Sequence, residues 1–208
     1  MYKIKEIYYT IQGEGHHTGR PAIFCRFSGC NLWSGREEDR KKAICQFCDT
    51  DFWGMDGNNG GKYTGDELAE KCFDLWPDDS HRPFVVFTGG EPLLQLDDRL
   101  IKAFKKRNFY CAVETNGTLK APNELDWICM SPKANTEIVL IKGNEIKIVQ
   151  PQNDIDPQGF EDLDYHHFYI QPMDNLNAKE NLEYCISYCM KNPKWSLSLQ
   201  THKLMGID

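Results

Sequence analysis

Cys30, Cys45 and Cys48 lie in one highly charged stretch just downstream of a short apolar run at 22–27. Three thiolates are one fewer than a closed structural zinc site needs, and a catalytic metal keeps one position open for water or substrate. A [4Fe–4S] cube held by three cysteines likewise leaves one iron free for an outside molecule. In Cys45-Gln46-Phe47-Cys48 the spacing lets two sulfurs reach one centre, whereas the fourteen residues between Cys30 and Cys45 must loop out and return. The pattern reads as an open metal site, and incidental thiols are the alternative.

Further polar groups follow apolar runs. In Thr88-Gly89-Gly90-Glu91-Pro92 two glycines let backbone approach a ligand, with free amides for a carboxylate and Glu91 for an ammonium group. Strand–turn–helix punctuation is the ordinary explanation. Glu114 and Asn116 suit an amine or a ribose hydroxyl, and Ser131 and Lys133 suit a carboxylate. Lys147 alternates with Ile146 and Ile148 and so points inward or to solvent. Gln12-Gly13-Glu14 places a carboxamide and a carboxylate on a flexible turn, and Phe47 offers a flat face beside the cysteines.

These groups need a scaffold. Apolar runs at 22–27, 84–87, 110–113, 127–130, 145–149, 168–170 and 197–199 read as buried strands, each ending in a polar cluster. Ligand groups at strand ends are what a β/α barrel gathers at its C-terminal rim. Helices are fewer. One spans 64–76 behind a Thr64/Glu67 capping box. A second starts at Pro92 and buries Leu93, Leu96, Leu100, Ile101 and Phe104. A third follows Asn177 and buries Leu182, Cys185, Ile186, Cys189 and Met190. The expected fold is α/β: residues 1–208 as a single-domain, incomplete (β/α)6-type barrel trimmed to about three main helices, with a long loop at 28–63. An open doubly wound sheet is the fallback. The Gly-rich segment 51–63 reads as a mobile loop.

The bulk composition narrows the class. The 208 residues suffice for a real core; 40% are hydrophobic and 26% charged, as in soluble domains. A net charge of −7 argues against a duplex nucleic-acid partner. No apolar run approaches the ~18 residues of a membrane span. Nine cysteines without a visible signal peptide favour a reducing cytoplasm, with Cys25, Cys72, Cys111, Cys129, Cys185 and Cys189 as core thiols.

Together, the segments 9–15, 24–27, 30–33, 48–51, 88–92, 114–117, 131–133, Gln171-Pro172 and Gln200-Thr201-His202 resemble the radical S-adenosylmethionine (SAM) enzymes. Within them they are similar to the branch that contracts a pterin ring to 7-carboxy-7-deazaguanine. The long C-x14-C gap departs from the usual C-x3-C-x-φ-C, with φ aromatic, but is matched in some members of that branch. The resemblance implies a [4Fe–4S] cluster on Cys30, Cys45 and Cys48, SAM chelated to its open iron, and Mg2+ on Thr50. Reductive cleavage of SAM would give a 5′-deoxyadenosyl radical that takes hydrogen from C6 of 6-carboxy-5,6,7,8-tetrahydropterin. Ring contraction releases ammonia on the route to queuosine-type bases, and SAM is regenerated. By this resemblance Phe47, Gly89, Gly90, Glu91, Glu114, Asn116, Ser131, Pro132, Lys133, Gln171, Pro172, Met173 and Asp174 bind the cofactor. Ile11, Gln12, Gly13, Glu14, Arg26, Thr88, His202 and the terminal Asp208 bind the substrate. The chemistry fits: Gln12 and Glu14 can read the donor–acceptor edge of a pterin, and Arg26 its carboxylate. A homodimer and an external electron donor such as flavodoxin or ferredoxin are also implied. The rivals are a radical SAM activase acting on a partner protein and a zinc-binding interaction module with His16 or His17 as fourth ligand.

Overall fold

The computed structural model describes residues 1–78 and 80–207. Its framework is one sheet of nine strands: β1 (Tyr2–Ile11), β2 (Pro21–Phe27), β3 (Gly61–Tyr63), β4 (Phe84–Gly89), β5 (Tyr110–Thr115), β6 (Trp127–Met130), β7 (Glu145–Gln150), β8 (His167–Pro172) and β9 (Ser196–Leu197). Their order is β3-β1-β2-β4-β5-β6-β7-β8-β9, so β3 and β9 are the two ends of a barrel that does not close. From β2 onward every pairing is parallel; β1 runs antiparallel to both β2 and β3.

The apolar runs from 22–27 to 168–170 became strands because most of their residues are buried on both faces, whereas of the expected run 197–199 only Leu197 is in a strand, the two-residue edge β9, with Ser196 exposed. Val85 and Phe87 of β4 join the large core beneath the helices, while Phe84 and Val86 join a second cluster with Ala22, Ala112, Trp127 and Cys129. That parity assigns the inner face. It carries Phe84, Tyr110, Trp127, Glu145 and His167 at the strand starts, and Arg26, Thr88, Glu114, Val149 and Gln171 toward the ends, with Ser131 just past β6. The second set lines a cavity. The sheet therefore delivers polar side chains to its C-terminal rim.

Three main helices cover the outside. In α1 (Gly65–Asp74) the capping box is complete: Glu67 N donates to Thr64 Oγ1 at 3.3 Å, and Thr64 N to Glu67 Oε2 at 2.8 Å. The second helix does not start at Pro92. Residues Pro92–Leu94 form one 3-10 turn capped by Glu91; Asp97 then accepts from Leu100 N at 2.9 Å and restarts the chain as α2 (Asp98–Lys105). The expected stripe from Leu93 to Phe104 is buried all the same. In α3 (Ala178–Lys191) the expected face is corrected. Ile186 and Met190 are exposed, while Asn181 is buried because its Nδ2 donates to Met173 O at 2.8 Å and Asn175 Oδ1 at 3.0 Å. The segment 51–63 is likewise not all loop, since Gly61–Tyr63 pairs with Tyr2, Lys3 and Ile4 as the edge strand β3. A short α4 (Thr201–Met205) ends in left-handed Gly206. No helix among the described residues is long and apolar enough to cross a membrane.

Candidate active site

The rim encloses a cavity of about 720 Å³. Cys30, Cys45 and Cys48 all line it, all as free thiols. Backbone bonds draw the two arms of the loop together: Ile44 N and Cys45 N both donate to Leu32 O, at 3.1 and 3.4 Å. Asn31 fastens the first arm to the end of β5, accepting from Asn116 Nδ2 at 2.9 Å and donating to Thr118 Oγ1 at 2.8 Å. At Gly90 a Cβ would sit 2.2 Å from Gly29 O and 2.7 Å from Cys30 Cβ, so the loop itself requires this glycine.

The thiols fit a cluster. Burial pushes Cys30 up and Cys48 to about 11, and the field of Cys45 adds to both, so thiolates here call for a bound cation. The amide of Leu32 already points at Cys30 Sγ at 3.4 Å, the kind of bond that tunes a cluster sulfur. Among the described residues no group of three His, Cys, Asp or Glu side chains is placed to hold a single ion. A cubane binds its thiolates through three different irons and makes no such demand. His16 and His17, the fourth ligands of the zinc alternative, pack on Trp127 at the strand starts, His16 stacked and His17 tilted, with ring centroids 4.8 and 4.4 Å away, at the other end of the barrel.

Beside the cysteines, Lys133 donates to Ser131 O and Oγ at 2.7 Å and lies 5.9 Å from the Phe47 ring centroid. Burial draws its ammonium below the usual lysine range, which leaves it receptive to an anionic ligand. Across the cavity, Lys147 Nζ sits 2.7 Å from Glu14 Oε2 and 2.9 Å from Glu114 Oε2. Gln12 Nε2 donates to Glu114 Oε1 at 3.2 Å, and Glu14 N to Gln12 Oε1 at 3.2 Å. Burial favours neutral Glu14 and neutral Lys147, but their mutual attraction, with Gln200 on Glu14 and Glu114 on Lys147, outweighs it and keeps both charged. Arg26 donates from Nε to Glu6 at 2.7 Å and from Nη2 to Tyr8 OH at 2.8 Å.

The C-terminal segment forms one wall. Thr201 N and Oγ1 donate to Gly13 O at 2.9 and 3.0 Å, and a Cβ on Gly13 would collide with His202 Nδ1 at 2.2 Å. Lys203 ties this wall to Asp49 at 2.8 Å and Asp174 at 2.6 Å.

The chain is 54% identical over 207 residues to the 7-carboxy-7-deazaguanine synthase of Bradyrhizobium diazoefficiens and 53% identical to that of Caulobacter vibrioides, each alignment covering 99% of both chains. The chain belongs to the 7-carboxy-7-deazaguanine synthase family. The crystal structure of QueE from Escherichia coli superposes with a TM-score of 0.74 at 27% identity, covering 95% of this chain and 93% of that one. No family model matches the chain.

For a 7-carboxy-7-deazaguanine synthase family member, the cavity gathers most of the residues singled out from sequence. Phe47, Thr50, Gly89, Gly90, Glu114, Asn116, Ser131, Lys133, Gln171, Pro172, Met173 and Asp174 line it with the cysteines, as do Ile11, Gln12, Gly13, Glu14, Arg26, Thr88 and His202. Glu91 and Pro132 do not. Glu91 is fully buried behind the wall, where it accepts from Leu93 N at 2.9 Å, Thr115 Oγ1 at 2.8 Å and Asn116 N at 2.8 Å. There it holds the backbone amide of Asn116. Asp208 lies outside the described residues. Sequence reasoning passed over Glu6, Tyr8 and Lys203, which also line the cavity. Alternation along β1 was the available signal for the first two; Lys203 has none, because its partners are 29 and 154 residues away.

Proposed function

We propose that the chain contracts 6-carboxy-5,6,7,8-tetrahydropterin to 7-carboxy-7-deazaguanine with loss of ammonia, supplying a precursor of queuosine-type bases. Cys30, Cys45 and Cys48 would hold a [4Fe–4S] cluster with one iron open to the amine and carboxylate of SAM. Together, when bound, the cluster and SAM supply one-electron chemistry that removes and returns a substrate hydrogen. The protein's part is to bind, orient and exclude water. Lys133 and Ser131 face the SAM carboxylate, Asn116 and Glu114 its polar groups, and Phe47, Met173 and the backbone at Gly89 and Gly90 its remaining surface. Gln171, Pro172 and Asp174 complete that wall, with Glu91 and Pro132 acting from behind it.

Ionised Glu14 and the carboxamide of Gln12 read the pterin edge, Arg26 meets its carboxylate, and Ile11, Gly13, Thr88 and His202 close around it. Lys147 keeps the substrate-side and SAM-side carboxylates in one network. Thr50 offers a hydroxyl to Mg2+. Asp49 and Asp51 on either side of it are paired with Lys203 and Lys5, so water and substrate oxygens would supply most of the ion's shell, as Mg2+ commonly takes them. The chain would act as one domain over residues 1–208 and as a homodimer in a reducing cytoplasm, with a flavodoxin or ferredoxin as electron donor.

The observation that carries this reading is one cavity shared by three thiols and by a buried Glu14–Lys147–Glu114 network, in a chain more than half identical to named synthases. The test is turnover of substrate deuterated at C6. Deuterium should enter the 5′-methyl of 5′-deoxyadenosine, whose three hydrogens are equivalent, and so accumulate at the 5′ carbon of regenerated SAM without net consumption of SAM. Turnover of a partner protein, or no deuterium transfer, would refute it.

A further inference from the structure

The insert at 31–44 separates the two cysteine arms, and a fourteen-residue excursion leaves their relative position costly to fix by chain connectivity alone. One side chain bridges that gap. Arg40 lies in a 3-10 helix, Glu37–Lys42, in the middle of the excursion. Its Nη1 donates to Gln46 O and to Cys48 O, both at 3.0 Å, so a single nitrogen grips the backbone of the C-x2-C arm twice. The guanidinium carbon lies 4.0 Å from the ring centroid of Trp33, three residues past Cys30 and only 7% exposed. Trp33 Nε1 in turn donates to Arg36 O at 3.1 Å, which fixes the indole against the insert. Nε and Nη2 pair with Glu37 at 2.7 and 2.6 Å, aiming the planar group. Glu37 is largely exposed, so that pair contributes orientation more than stability.

We propose that Arg40 is a positioning residue of the cluster site: by holding Trp33 on one arm and the Gln46 and Cys48 carbonyls on the other, it sets the three cysteine sulfurs in register. The insert is then the splint of the metal site. Lysine cannot replace it fully, because an ammonium offers neither the flat face for Trp33 nor a rigid fork for paired contacts. The inference rests on the cluster reading given above.

The test compares wild-type, R40K and R40A proteins, each reconstituted anaerobically with iron and sulfide and then challenged with an iron chelator. Groups that orient metal ligands typically change retention by roughly 10- to 100-fold. R40A should therefore release iron at least about 10-fold faster than wild type, with R40K in between and the melting temperature of the metal-free proteins unchanged. Millimolar guanidinium should slow release from R40A and leave wild type unaffected. Equal retention in R40A and wild type, or faster release that guanidinium does not slow, would overturn the assignment. Should R40A fail to fold, E37A serves instead: it removes both acceptors on the far side of the guanidinium from an exposed position and should speed release several-fold, whereas wild-type retention would overturn the proposal. Failure of the wild-type protein itself to take up a cluster would refute the functional reading, and the inference with it.

Discussion

Strand β7 carries Glu145 at the barrel floor and, two residues on, Lys147 in the cavity, and the two are treated in opposite ways. Glu145 is 2% exposed, and its hydrogen-bond partners are uncharged: His16 N at 3.2 Å, Trp127 Nε1 at 3.3 Å and Cys129 Sγ at 3.5 Å. Burial pushes its carboxyl up to about 7. Nearby, His17 packs on Trp127 and Phe84, its Nε2 is buried without a hydrogen-bond partner among the described residues, and burial holds its ring down to about 4, with Arg20 adding to the effect. At the rim, Lys147 is as deeply buried but has Glu14 and Glu114 as counter-ions and stays charged. The floor seals the barrel with rings held neutral; the cavity keeps ionised groups dry for a charged ligand. One alternating strand serves both because its inward residues climb from one environment to the other.

Mutations should separate the two ends, and the largest effect belongs to the cavity. Cys45→Ala should abolish both the iron–sulfur chromophore and turnover while leaving the metal-free melting temperature within a few degrees of wild type; a normal visible spectrum would contradict the assignment. Lys147→Met strands two carboxylates and should cost about 3 kcal/mol or more in urea unfolding. A loss below about 1 kcal/mol, the range of exposed pairs, would mean that this network is effectively solvated.

The floor should respond through pH. The folded state holds the Glu145 proton to about 7 against an ordinary value of 4.5. The folded state therefore binds more protons than the unfolded state between those values, and stability falls as pH rises through that window. Glu145→Gln should remove that loss, worth about 2.5 kcal/mol between pH 5 and pH 8 by the usual conversion; parallel stability curves for the two proteins would count against a neutral Glu145. At neutral pH the smallest effect is at His17. Its lowered value makes folded protein lose stability as pH falls from 6.5 toward 4. His17→Phe should stabilise the protein by roughly 1 kcal/mol at neutral pH by removing an orphaned buried nitrogen, and should flatten the acid side of the curve. Destabilisation would show that Nε2 has a partner in solution.

Much of the architecture was legible because parallel strands buried on both faces leave continuous apolar runs, such as Phe84-Val85-Val86-Phe87, and because the capping box at Thr64 and Glu67 is local. The restart of α2 at Asp97 was less visible, since Pro92 and Asp97 are both good helix openers and only the fold chooses between them. The face of α3 was misread because Asn181, polar by type, is buried by bonds to the loop after β8. Within the site, the placement of the cysteines and of the Gly89-Gly90 turn at a strand-end cavity was legible from type and spacing, while the alternation around Lys147 left it pointing inward or to solvent. For Glu91 the sequence shows a carboxylate near a rim but not the three donors around it. The Lys203 ties depend on long returns of the chain that no spacing rule encodes, whereas the Arg40 clamp is local, within eight residues of its partners, but rests on a 3-10 turn that no periodicity marks.

The most direct test of the central claim is electron paramagnetic resonance of anaerobically reconstituted, dithionite-reduced protein, recorded with and without SAM. The account predicts the signal of a reduced [4Fe–4S] cluster whose g-values shift when SAM is added, abolished by replacing any one of Cys30, Cys45 or Cys48. A colourless protein carrying stoichiometric zinc, or a cluster signal indifferent to SAM, would contradict it.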